Sequence, residues 1–197
     1  MTSEIRSRSR GLLIAELAVA ASDYCAVHGF EDVTVADLAQ GIGISRATFF
    51  RLLGSKEDAI VMAARAGREA LAARVRDQAQ RPGDSAWSAV RAAMQSSVDA
   101  ARAEPDRLRA RIRMIWETPA LRARLASDRA DEELELAEVL SVRTGDSALG
   151  RAVAAAATAA IDLAWRNWSI DDGADFGDAL AESFALVGGV ERATLVT

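Results

Sequence analysis

Between Ser45 and Lys56 the chain carries three cations, Arg46, Arg51 and Lys56, and no acidic residue. Arginine pairs bidentately with guanine, the methyl of Ala47 can meet a thymine methyl, and the hydroxyl of Thr48 can donate to phosphate or meet a base edge. Side chains of these types on one exposed helix face have the chemistry to read duplex DNA. Lys56 is the only lysine among the 197 residues. Groups that catalysis draws on are scarce. There is one histidine, His28, and one cysteine, Cys25, while the Asp171-Asp172 pair reads as part of a surface turn. The usual nucleophile–base pairs and metal clusters are missing, so no enzyme, cofactor or metal centre is expected.

Two short helices must position the cations. The first is expected over about 35–41 and the second over about 45–52. Thr34 and Ser45 stand where N-caps are needed, each with a side-chain oxygen to accept from an orphan backbone N–H. Gly43 sits in the turn between them, where a residue without Cβ takes a left-handed conformation cheaply. Leu38, Ile42, Ile44, Phe49 and Leu52 fall on the inward faces, and Ala39 is small where the helices approach. This is the pattern of a helix-turn-helix, whose second helix enters the major groove. A preceding helix is expected over about 7–28, with Leu13, Leu17, Ala20, Ala21 and Tyr24 at helical spacing and Gly29 as its left-handed C-cap. Its start, with Arg6, Arg8 and Arg10 before an apolar run, imitates an export signal, but Glu16 and Asp23 interrupt it. Cys25 reads as a small core residue, and His28 as a helix-end residue that meets the last carbonyls.

The remainder is rich in alanine and holds three prolines, which favours helix throughout. Ser55 caps a long helix expected to reach about residue 80, stopped by Pro82-Gly83, with Asp58 at the capping-box position. Asp84 opens the next helix and Pro105 the one after. Further helices are expected over about 119–145, 147–168 and 174–190, about nine in all, with no strand. The fold class is all-α. No other apolar run is expected to be long enough to span a bilayer, and with one cysteine a reducing cytoplasm fits. Net charge is −5, unusual for a DNA binder, but its distribution decides. Residues 1–56 carry six basic and six acidic side chains, residues 57–130 fourteen and ten, and residues 131–197 four and thirteen. The acid is therefore concentrated at the end of the chain farthest from the motif.

The motif with its flanks resembles the TetR family of bacterial repressors. The matching residues are Gly29-Phe30, Thr34-Val35, Leu38-Ala39, Gly43-Ile44-Ser45, Thr48-Phe49-Phe50 and Ser55-Lys56. The resemblance implies a three-helix DNA-binding domain over residues 1–55 and a helical bundle over 56–197 for ligand binding and dimerisation. Arg46 is the leading candidate to read a base, beside Ser45, Ala47, Thr48 and Arg51, and the resemblance adds Thr34 and Lys56 at phosphate-contacting positions. A tyrosine usually stands where this chain has Phe50, and its hydroxyl commonly reaches a phosphate. Phe50 lacks that hydroxyl, so its contact is lost or becomes apolar. Leu53 replaces a usual aromatic ring. The basic arm of Arg6, Arg8 and Arg10 either follows the DNA or is a solvated tail. Dimerisation through the last two helices, 147–168 and 174–190, implies a palindromic operator in double-stranded DNA.

The segment from Arg111 to Leu121, with Trp165 and Asp175-Phe176, resembles the C-terminal domain of TetR regulators of acyl-CoA-like ligands, the mycofactocin-system regulator among them. That implies an apolar effector. Trp87, Met94, Ile112, Met114, Trp116, Leu121 and Trp165 are the candidates to line its cavity; as single residues they also read as ordinary core. Arg109, Arg111 and Arg113 either meet an anionic head group or form a solvated basic face. A DNA-binding regulator without a small ligand, or an activator, are the alternatives.

Overall fold

The computed structural model of the chain describes residues 2–66, 71–78 and 84–189. Among them are eleven helices and no strand. The first five are α1 (Thr2–His28), α2 (Val35–Gly41), α3 (Arg46–Leu53), α4 (Lys56–Ala66) and α5 (Leu71–Asp77). Then follow α6 (Ala86–Ala93), α7 (Gln95–Ala103), α8 (Pro105–Glu117), α9 (Pro119–Thr144), α10 (Ser147–Ile170) and α11 (Phe176–Gly188). The chain forms two compact units, Met1–Glu69 with Ala110–Asp128, and Ala70–Arg109 with Arg129–Thr197.

In the first unit α1 packs along α4 and touches α2 and α3. Ala18, Ala21 and Cys25 recur at helical spacing on its buried stripe and meet Leu38, Ala39, Phe49, Leu53, Ala59 and Ile60. Met114 and Ile115 of α8 and Leu121 and Leu125 of α9 join the same core. Each large apolar side chain so enclosed contributes roughly 1.5–3 kcal/mol. Burial raises the Cys25 thiol to a pKa of about 11, although Lys56 opposes the shift. Its place is in the core, as the sequence implies. His28 Nδ1 lies 2.8 Å from the Tyr24 carbonyl, and Gly29, at φ 87°, ends the helix.

In the second unit α10 and α11 pack along each other. Ala154, Ala157, Ala160 and Ala164 give α10 a buried stripe of small side chains. Close approach is tightest at Gly150, where a Cβ would lie 2.5 Å from the backbone nitrogen of Ser141 on α9. Trp165 stacks on Phe176 with ring centroids 3.7 Å apart, and Trp168 meets the same ring edge-on at 5.5 Å.

Several expectations need correction. The helix expected from Asp84 divides at Met94 into α6 and α7, while the helix expected over about 55–80 is described as α4 and α5, with residues 67–70 outside the described part. Ser85, not Asp84, caps α6, in a reciprocal box with Ser88, and Asp175 caps α11. Helix α1 begins at Thr2 instead of near Ser7. The side chains of Arg6 and Arg8, the stop at Pro82-Gly83 and the end at Val190 lie outside the described residues. Finally, α10 is long and apolar enough to cross a membrane by length and composition alone. Of its alanines, Ala154, Ala157, Ala160 and Ala164 are buried, while Ala148, Ala152, Ala155 and Ala159 are exposed.

Candidate nucleic-acid interface

The two helices of the motif are set by their caps. The Asp37 N–H donates to Thr34 Oγ1 at 3.2 Å and the Thr34 N–H to Asp37 Oδ2 at 3.1 Å, a complete capping box. The Thr34 hydroxyl, followed by its N–H, holds the Asp37 carboxyl below the ordinary carboxylate range. At α3 the Thr48 N–H donates to Ser45 Oγ at 3.1 Å, and the Ser45 hydroxyl donates to Thr48 Oγ1 at 2.9 Å. Between the helices Gly43 has φ 74°, and the Ile44 N–H donates to Ala39 O at 2.9 Å. Leu38, Ala39, Phe49 and Leu53 are buried, while Ile42, Ile44 and Leu52 are half-buried. Burying one side of α3 leaves Arg46, Ala47, Phe50 and Arg51 exposed.

The sequence-predicted DNA contacts fall into two groups. Thr34, Ser45, Arg46, Ala47, Phe50 and Arg51 are exposed and Thr48 is half-buried, so α3 and its cap form one accessible surface. Lys56 differs. Its ammonium donates to Phe30 O and, at 2.9 Å, to Val33 O, and it lies 4.1 Å from the Phe30 ring centroid. That side chain ties the loop before α2 to the start of α4 and so positions the motif. Its backbone lies in the first turn of α4, where the N–H groups can face an anion. For Phe50, whose contact the sequence leaves as lost or apolar, the structure adds a neighbour: the Arg46 guanidinium carbon lies 5.6 Å from its ring centroid. The four-residue spacing is the signal that finds this pair in the sequence.

A family model described as bacterial regulatory proteins, tetR family, matches residues 17–61. A second, described as the MftR C-terminal domain, matches residues 84–191, more than half of the 197 residues. The chain belongs to the TetR family. TetR proteins are DNA-binding transcriptional regulators, and the matched segments bracket the helix-turn-helix and the helical body. Among solved structures, the fatty acid degradation regulator FadR from Bacillus halodurans aligns with a TM-score of 0.63 at 16% identity, covering 92% of this chain and 97% of that one. FadR from Thermus thermophilus, a TetR family repressor solved in complex with lauroyl-CoA, aligns at 0.59 with 21% identity, covering 93% and 96%. At such identities the likeness is one of fold. No curated protein sequence matches the chain.

The candidate ligand residues of this TetR protein are distributed over both units. Ile112, Met114, Trp116 and Leu121 belong to the first, and Trp87, Met94 and Trp165 to the second. Met94, Met114 and Leu121 are buried. Trp87 packs on Phe184 with centroids 4.6 Å apart, so with Trp165 it fastens α6 and α10 to α11. A cavity of about 380 Å³ in the second unit is lined by Ser88, Arg91, Gln95, Val98, Arg102 and the first turns of α11. None of the seven candidates lines it. Arg109 is 5% exposed; it donates from Nε to Trp168 O at 3.2 Å and from Nη2 to Ala174 O at 2.8 Å, over the Trp168 ring. Arg111 pairs with Asp23 at 3.2 Å. The reading of these arginines as one solvated face is therefore wrong.

Proposed function

We propose that this TetR protein is a ligand-responsive repressor, binding a palindromic operator as a homodimer and released by an apolar, acyl-CoA-like effector. The observation that carries the DNA half is the exposed face of α3, where Arg46, Ala47, Thr48 and Arg51 offer base and phosphate contacts on a helix fixed by a buried Phe49. Thr34, Ser45 and the first turn of α4 at Lys56 supply phosphate contacts at helix N-termini. One reading head covers few base pairs, so α10 and α11 supply the second by pairing with their copies. Leu149 and Leu186, 49% and 62% exposed, support that assignment. Such a dimer works on the chromosome, in the cytoplasm.

The effector half is supported by the match to the MftR C-terminal domain and by the neighbour solved with lauroyl-CoA. Trp87, Met94, Ile112, Met114, Trp116, Leu121 and Trp165 are assigned to contact it. The effector binds better to a form whose reading heads are wrongly spaced, which lowers operator affinity by the coupling energy, typically about 1–3 kcal/mol. The test has two steps. Selection from random duplex DNA should enrich a palindrome with the wild type and a different or no sequence with Arg46→Ala. Lauroyl-CoA should then raise the melting temperature and weaken binding to that duplex. A melting shift with unchanged DNA affinity excludes the effector role and leaves the regulator reading in place.

A further inference from the structure

We infer that Phe50 is a specificity-determining residue, the one that holds Arg46 ready to read guanine; this rests on the reading of Arg46 as a base contact. Phe50 is a large apolar side chain left 47% exposed on the outer face of α3, where it has no core to fill. It is not loose. Its ring stands edge-on to Phe49 at 6.1 Å and 88°, and Phe49 is fully buried. Long side chains on a helix lean toward its N-terminus, so a residue four positions after Arg46 covers the turn that carries it. The guanidinium carbon of Arg46 is 5.6 Å from the Phe50 centroid, within the range of a cation–π contact.

The chain of support therefore runs from a core ring to a surface ring to the guanidinium. An arginine already confined loses less rotamer freedom when it pairs with a base, and a confined guanidinium is aimed at one base pair. The acid-free stretch from Ser45 to Lys56 leaves no local carboxylate on α3 to draw Arg46 away.

The test compares base preference, not affinity alone. Duplexes enriched from a random library by the wild type are remade with each G·C pair replaced. Affinities are measured for the wild type, Arg46→Ala, Phe50→Ala, Phe50→Leu and Phe50→Tyr. At the guanine whose preference disappears in Arg46→Ala, Phe50→Ala and Phe50→Leu should lose about two- to five-fold of the discrimination. Phe50→Tyr, which keeps the ring, should retain it, and other positions should not move. Full discrimination in Phe50→Leu overturns the inference, because leucine offers bulk without a π face. So does a loss that is equal at every sequence, which marks a general contact. If Arg46→Ala alters no preference, or the wild type enriches nothing, the underlying assignment of Arg46 fails first and the role of Phe50 goes with it.

Discussion

Arg109 separates charge from role. On composition it is one of three alternating arginines, and alternation on a helix sends neighbours to different faces. Its guanidinium ends up serving the C-terminal carbonyl of α10 at Trp168 and the turn before α11 at Ala174. Replacement by methionine keeps the length but removes the donors, which leaves Trp168 O without that partner. Arg109→Met should cost about 1–3 kcal/mol in a urea titration, whereas Arg91→Met, at an exposed site, should stay within about 0.5 kcal/mol. The sequence holds the residue but not its partners, which lie some sixty positions away. Arg46 and Phe50 are the opposite case. They are separated by one helical turn, so their pairing follows from local geometry.

At the scale of elements, boundaries were legible where local chemistry writes them. The Thr34 and Ser45 caps and the left-handed Gly29, Gly43 and Gly145 mark helix ends without help from tertiary packing. The break at Met94 was not legible, since no glycine or proline stands there. Gly150 was missed for a related reason, because its need for a bare Cα arises only from the passage of α9. Gly150→Ala should destabilise by about 1–3 kcal/mol through overpacking, although alanine is the better helix former, and thermal unfolding will show the sign. The start of α4 carries a pH dependence. The Ser55 N–H donates to Asp58 Oδ2 at 3.1 Å, and Arg124 Nη2 donates to Oδ1 at 2.9 Å. The Ser55 N–H chiefly, then Arg124, keeps the carboxyl below its ordinary value of 3.8 against the opposing effect of burial. A lowered folded value contributes stability that is complete above the unfolded value and fades as pH falls through the folded one. Asp58→Asn should therefore lose about 0.5–2 kcal/mol at pH about 7. Its denaturation midpoint should converge with that of the wild type as pH falls below 3.8.

At the scale of the whole molecule, the proposed dimer is the point of greatest leverage. A stable interface buries at least about 1,000 Å², and α10 and α11 are the assigned surface. Leu186→Glu puts a charge at a site where the wild type exposes an apolar side chain, 62% accessible. It should convert the protein to a monomer in sedimentation analysis while thermal unfolding changes little. The monomer should lose most operator affinity, because two half-sites then bind independently. The family and the fold class were open in the sequence, since the motif and its flanks are local. The cavity in the second unit was not, because a cavity belongs to the packing of several helices, and Ser88, Arg91, Gln95 and Arg102 read one by one as ordinary polar positions.

The single lysine has a practical corollary. A protease that cuts only after lysine has one target bond in this chain, between Lys56 and Glu57. That bond lies in the first turn of α4, and the lysine side chain is engaged by the Phe30 and Val33 carbonyls. Cleavage requires that turn to open, and one cut divides the chain into two fragments of 56 and 141 residues. The cutting rate in the native state, with and without operator DNA, would report the opening equilibrium of a single joint without any label. Operator DNA should slow it if phosphates seat at the start of α4.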